Sequence, residues 1–212
     1  MSNSVIIGAM ICVSNRRIAI MYSVNYQKNF INIEEFKRKY QNQEKFLAYC
    51  KECPRYNNTW SCPPLAFDVN EYLDKYAYVY VVCAKITLDE RIIHEADTPD
   101  QVKDIGWKIL CEVKANLEEN LRSMEQLVPE SISLSSGGCN NCSICTRKDG
   151  IPCRLPDKMR YSMDAFGFDL TAITKDLFNI DIQWCKDSLP KYFTLIHGLL
   201  TKSNVKAELW NL

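Results

Sequence analysis

Seven of the eleven cysteines in this chain fall into two groups whose spacing suits metal chemistry. The denser group lies between Gly137 and Pro156, in GGCNNCSICTRKDGIPCRLP. There Cys139, Cys142 and Cys145 are two residues apart in turn, and Cys153 follows after seven more. A loop with so little to bury has no core of its own. Gly137, Gly138 and Gly150 let its backbone turn sharply, and Pro152 and Pro156 fix its exit, as in a loop wrapped around a bound object. A C-x2-C-x2-C run offers three thiolates to the corners of a [4Fe-4S] cluster, with the fourth ligand, here Cys153, coming from farther along. A single zinc ion more often draws on two separate C-x2-C pairs. The spacing therefore points first to iron–sulfur, then to zinc, and last to plain or disulfide-bonded cysteines.

The second group is Cys50, Cys53 and Cys62 in CKECPRYNNTWSCPP, residues 50–64. Cys50 and Cys53 form a chelating pair, Pro54, Pro63 and Pro64 stiffen the loop, and Trp60 is a large side chain able to keep water off a cluster. No helix start follows Cys50, which argues against a thioredoxin-like dithiol. With three local thiols, two possibilities stand. Either the fold brings a fourth ligand, from Cys12, Cys83, Cys111, Cys185, His94 or His197, or one metal position is open to water, substrate or a partner.

Arg147, Lys148, Arg154, Lys158 and Arg160 place five cations within fourteen residues around the denser loop. Cations beside a thiolate-bound cluster stabilise its negative charge. Arg154 and Arg160 are also the candidates for binding a small anionic substrate or an acidic redox partner, because a guanidinium fork suits carboxylate or phosphate. The carboxylate pairs Glu34-Glu35 and Glu118-Glu119 are expected on solvated helix surfaces. There is no phosphate-binding glycine loop, dinucleotide fingerprint, nucleophile elbow or H-E-x-x-H helix, so nucleotide-dependent and conventional hydrolase chemistry fall away.

The elements that must hold these loops fit one domain, residues 1–212, with 47% hydrophobic residues available for a core. Lysine plus arginine equals aspartate plus glutamate, 26 each, so no overall positive field draws in nucleic acid. The apolar run from Val5 to Val13 is too short to span a bilayer and lacks the positive flank of an export signal. A cytoplasmic protein with reduced thiols and no membrane contact is expected, its oligomeric state open.

Val5–Val13 and Ile18–Val24 read as a hairpin. Asn32 and Glu35 make a capping signal for one helix carrying Ile33, Phe36, Tyr40, Phe46 and Leu47 toward Cys50. Asp68 and Glu71 open a short helix through Tyr76, and Ala77–Leu88 is a strand. Thr98, Pro99 and Gln101 start a long helix closed by Pro129, with Val102, Ile105, Ile109, Val113, Leu117, Leu121 and Met124 as one buried stripe. A strand at 131–135 leads into the cysteine loop, a helix follows over 157–166 with Gly167 as its cap, then a helix over 171–178 and a last strand over 192–200. The fold class is α/β in the broad α+β sense, a mixed β-sheet flanked by helices, with both cysteine loops converging at one end.

The two cysteine segments, 50–64 and GGCNNCSICTRKDGIPCRLPDKMRYSMDAFGFDL over 137–170, together resemble a family of predicted metal-binding proteins, domain of unknown function 2284. The likeness runs from about Cys50 to the last strand. It implies cysteine-bound metal, iron–sulfur first, in a cytoplasmic protein, and it implies no reaction. Cys50, Cys53 and Cys62 match the first motif and Cys139, Cys142, Cys145 and Cys153 the second; Cys12, Cys83, Cys111 and Cys185 match neither. The expectation is an electron-transfer or redox protein with one or two [4Fe-4S] clusters. The alternatives are a zinc-stabilised binding module and an enzyme with an open iron at the three-cysteine group. If electrons pass between two centres, the loops must be neighbours.

Overall fold

The computed structural model describes residues 5–8 and 21–205. The far end of the expected first strand, its turn and Cys12 lie outside the described residues. Strands β1 (Val5–Gly8), β2 (Tyr22–Asn32), β3 (Tyr78–Leu88), β4 (Ile132–Leu134) and β5 (Tyr192–Thr201) form one sheet in the order β1-β2-β3-β5-β4. Among the described residues six α-helices accompany it: α1 (Ile33–Tyr40), α2 (Gln43–Lys51), α3 (Val69–Leu73), α4 (Glu90–Glu95), α5 (Pro99–Leu127) and α6 (Leu170–Phe178). Among the described residues no helix is long and apolar enough to cross a membrane.

The α+β class is the expected one, but the sheet is not mixed, since all four ladders are antiparallel. A lone parallel bridge joins Ser135 to Ser162 outside the strands. Tyr80, Val82, Ala84 and Ile86 of β3 pack into a core shared with α5. Val79, Val81 and Cys83 pack into a second core with α1, α3 and α6. Helices on both faces explain why an antiparallel strand reads as a nearly unbroken apolar run, a pattern more usual in parallel sheets. β2 runs past Val24 to Asn32 because all of its residues pair with β3.

The single helix expected between Asn32 and Cys50 is two. Asn32 caps α1, its Oδ1 accepting from the Glu34 N–H at 2.9 Å. Gln41 then turns extended and bridges to Phe168, and Asn42 starts α2 by accepting from the Lys45 N–H at 3.0 Å. A second asparagine cap ten residues after the first offers the backbone a new start, and tertiary pairing at Gln41 makes that the better choice. α3 stops at Leu73, short of Tyr76. α4, capped by Asp89, was not anticipated.

No helix forms over 157–166 beyond a 3₁₀ turn at Asp164–Phe166. The backbone groups a helix would use internally are taken by the end of β4, where the Ser135 N–H donates to the Tyr161 carbonyl at 2.8 Å and the Met163 N–H to the Ser135 carbonyl at 3.0 Å. Gly167 does cap that turn, at φ 83°, where a Cβ would also come within 2.7 Å of the Gln43 backbone. On α5 the Thr98–Gln101 capping box forms and the stripe is buried, with Ile105 only partly so.

Candidate metal centres

Cys50 occupies the last turn of α2, and the chain then winds through tight turns, the Cys53 N–H donating to the Cys50 carbonyl and the Cys62 N–H to the Thr59 carbonyl, both at 3.0 Å. These turns point the three motif cysteines into one cavity of about 440 Å³. α5 supplies its opposite wall through Trp107, Leu110, Cys111 and Lys114. Those positions recur at i, i+3, i+4 and i+7, a second face of α5 beside the buried stripe, and that periodicity is the signal in the sequence that could have found them. Ser162 and Asp164 line the same cavity.

Of the proposed fourth ligands, Cys111 is the one that reaches this cavity among the described residues. Cys83 is buried in the core between sheet and α1, and His197 is fully buried on β5. His94 and Cys185 are exposed on other parts of the surface.

Cys139, Cys142, Cys145 and Cys153 line a much smaller recess of about 20 Å³, closed by Trp60, Arg154 and Met159. A 3₁₀ turn at Thr146–Asp149, ended by Gly150 at φ 68°, folds Cys153 back toward the other three. The Thr146 hydroxyl secures the return by donating to the Pro152 carbonyl at 2.9 Å. The Asn141 N–H donates to the Cys139 sulfur at 3.5 Å, the kind of contact that tunes the potential of a thiolate-bound cluster.

Burial pushes the Cys50 thiol up to about 11, with the charges of Asp164, Cys62 and Cys53 adding to it. Burial also raises Cys62, against a hydrogen bond from Ser61, and Cys139, against the Asn141 N–H. Without a cation these three thiols therefore keep their protons at neutral pH, and metal binding is what would convert them to thiolates. Among the described residues no group of three or more His, Cys, Asp or Glu side chains is gathered as one metal ion requires. The donor sets fit a sulfur-bound group in kind and enclosure, and loading would have to draw the sulfurs inward.

The two loops lie against each other. The Cys139 N–H donates to Ser61 Oγ at 2.8 Å. Arg55 donates to the Cys139 carbonyl at 2.9 Å and to Asn140 Oδ1 at 2.8 Å. Trp60 Nε1 donates to the Ile151 carbonyl at 3.1 Å, and Arg147 reaches the carbonyls of Thr59, Cys62 and Pro64. Gly138 is what lets Arg55 cross, since a Cβ there would fall 2.5 Å from the arginine Cδ. A groove bordered by Arg55, Thr59 and Lys148 runs from Cys111 to Cys139, Cys142 and Cys145.

Three polar residues of α5 hold the stem of the denser loop. Lys114 Nζ donates to the Gly138 carbonyl at 2.6 Å, Glu118 accepts from the Ser135 hydroxyl at 2.6 Å, and Glu125 accepts from the Ser133 N–H at 2.7 Å. Glu118 is thus buried, contrary to the solvated surface expected for it, while Glu119 is exposed and pairs with Arg122. Glu34 is exposed and Glu35 half-buried, both on the solvent side of α1 as expected and paired with Lys37 and Lys39.

Arg160 donates from Nε to Glu125 at 2.7 Å and pairs with it again through Nη2, so its guanidinium is committed inside the fold. Burial alone would raise the Glu125 carboxyl, yet the bonds from Arg160 and Ser133 hold it below the usual carboxylate range. Arg154 is exposed at the edge of the small recess and donates to the Ile144 carbonyl at 3.2 Å.

The family described as predicted metal-binding protein (DUF2284) matches residues 37–200. No curated protein and no solved structure matches the chain.

Proposed function

The chain belongs to this family of predicted metal-binding proteins, and from that premise we propose that it is a cytoplasmic iron–sulfur protein acting in electron transfer or redox chemistry. Cys139, Cys142, Cys145 and Cys153 bind one [4Fe-4S] cluster, and Cys50, Cys53 and Cys62 hold a second centre. The observation that carries this is the adjacency of the two loops. Segments more than seventy residues apart share direct hydrogen bonds through Ser61, Arg55, Trp60 and Arg147, as two centres exchanging electrons require. Such clusters supply one-electron chemistry when bound.

The chain's own residues do the rest. Trp60 and Met159 cover the small recess and limit water, the Asn141 N–H favours charge on the Cys139 sulfur, and Arg154 places a cation at the mouth where an acidic redox partner would dock.

The large cavity favours a second reading, an enzyme whose metal at Cys50, Cys53 and Cys62 faces a small substrate between Trp107 and Lys114. Oxygen-free purification or reconstitution, followed by metal and sulfide analysis with visible and electron-spin spectra, tests both. Iron and acid-labile sulfide in equal amounts, about four to eight per chain, with a visible band that bleaches on reduction, is the expected result. A colourless zinc protein would keep the sites and remove the redox function; a chain that takes up no metal would overturn both readings.

A further inference from the structure

The three-cysteine group has a carboxylate neighbour that no spacing rule anticipates. Asp164 lines the cavity shared by Cys50, Cys53 and Cys62, and its Oδ1 is buried with no hydrogen-bond partner among the described residues. Ser162 Oγ, two residues earlier and lining the same cavity, is buried and unpartnered too. A buried oxygen without a partner costs about 1–3 kcal/mol, so two of them on one wall mark a place where something else completes the bonding. Cys111 stands across the cavity on α5.

We propose that the Asp164 carboxylate, not a fourth cysteine, completes the metal site formed by Cys50, Cys53 and Cys62, with the Ser162 hydroxyl bonded to the ligating carboxylate. This rests on the metal-binding function above and deepens it. An oxygen donor among three sulfurs is harder and less tightly matched to a soft metal than thiolate, so this position is the one an incoming ligand displaces. The cavity beyond it, walled by Trp107 and Leu110 with Lys114 at its inner end, leaves room for a small anion to take that place. The 3₁₀ turn at Asp164–Phe166 holds the carboxylate there, its geometry fixed by Gly167 and by the pairing of Met163 with Ser135.

The test compares Asp164→Asn, Asp164→Cys, Cys111→Ser, Cys53→Ser and Cys145→Ser with wild type after the same anaerobic reconstitution. Metal content, spectra, resistance to a chelator and melting temperature are read for each. Asp164→Asn should release the metal of this site to the chelator about 10–100-fold faster, and its difference spectrum from wild type should coincide with that of Cys53→Ser and not with that of Cys145→Ser. Asp164→Cys should restore retention with added sulfur-to-metal absorption, which a merely destabilised protein would not show. Cys111→Ser should match wild type. Wild-type retention and spectra in Asp164→Asn, or loss in Cys111→Ser in its place, would overturn the assignment while leaving the metal function standing. A wild type that takes up no metal would sink both.

Discussion

The two cysteine groups solve one problem in opposite ways. The loop at 139–153 surrounds about 20 Å³ with four thiols and seals it under Trp60 and Met159, whereas Cys50, Cys53 and Cys62 open onto about 440 Å³ with a helix face opposite. Closure suits a centre that only passes electrons; an ample cavity beside three thiols suits one that also meets a ligand. The difference follows from local chain length. Fifteen residues preceded by Gly138 and turned at Gly150 can wrap upon themselves, but the thirteen from Cys50 to Cys62, tethered to the end of α2, cover only one side and must borrow the other from α5.

The comparison breaks most visibly at the thiols. Cys145→Ser should remove about four irons per chain and the matching signal while leaving the Cys50 group loaded, and Cys53→Ser should do the converse; iron analysis of both variants checks this. If either substitution empties both groups, they are one centre.

The next largest effect should come from the stem. Removing Arg160 by substitution with Met leaves Glu125 buried without its cation, which should cost about 3–5 kcal/mol and show as a lowered midpoint in denaturant unfolding. The folded-state pKa of Glu125 is depressed, so its contribution is present above the ordinary carboxylate pKa and lost as pH falls through the depressed value. Glu125→Gln should therefore flatten the acid limb of the stability curve.

His197 sharpens the picture at smaller cost. Burial, with Lys114 nearby, lowers it to about 3, and neither ring nitrogen finds a partner among the described residues. A depressed value means that stability is full above the unfolded pKa and falls as pH drops below it, by about 2 kcal/mol between pH 7 and 5 for one such histidine. In His197→Leu, melting curves at the two pH values should differ less than in wild type. Gly138→Ala should displace Arg55 and loosen both loops together, seen as faster release of metal from each. Smallest of all, Glu35→Ala, on the solvent side of α1 where the carboxylate pairs with Lys39, should leave the melting temperature unchanged.

Much of this was legible from residues. The strand at 78–88, the capping box of α5 and its stripe follow from local patterning, and both cysteine groups were visible from spacing. What escaped was decided across the chain. Asn42 carried a cap signal that apolar periodicity through Phe46 and Leu47 hid. Arg160 looked like a free cation because Glu125 is thirty-five residues away, and Glu118 looked solvated because Ser135 is seventeen. Asp164 sat in an expected helix that the end of β4 prevents. Cys111 matched no motif, and only the second face of α5 shows where it belongs.

Among the described residues β5 is the last strand in sequence, but it lies between β3 and β4. On the ribosome, everything through the denser cysteine loop emerges while the slot beside β3 is still vacant, so the segment leading into that loop lacks its neighbour until Tyr192–Thr201 has followed it out. A chain terminated before β5 would therefore offer its thiols without a settled stem to hold them.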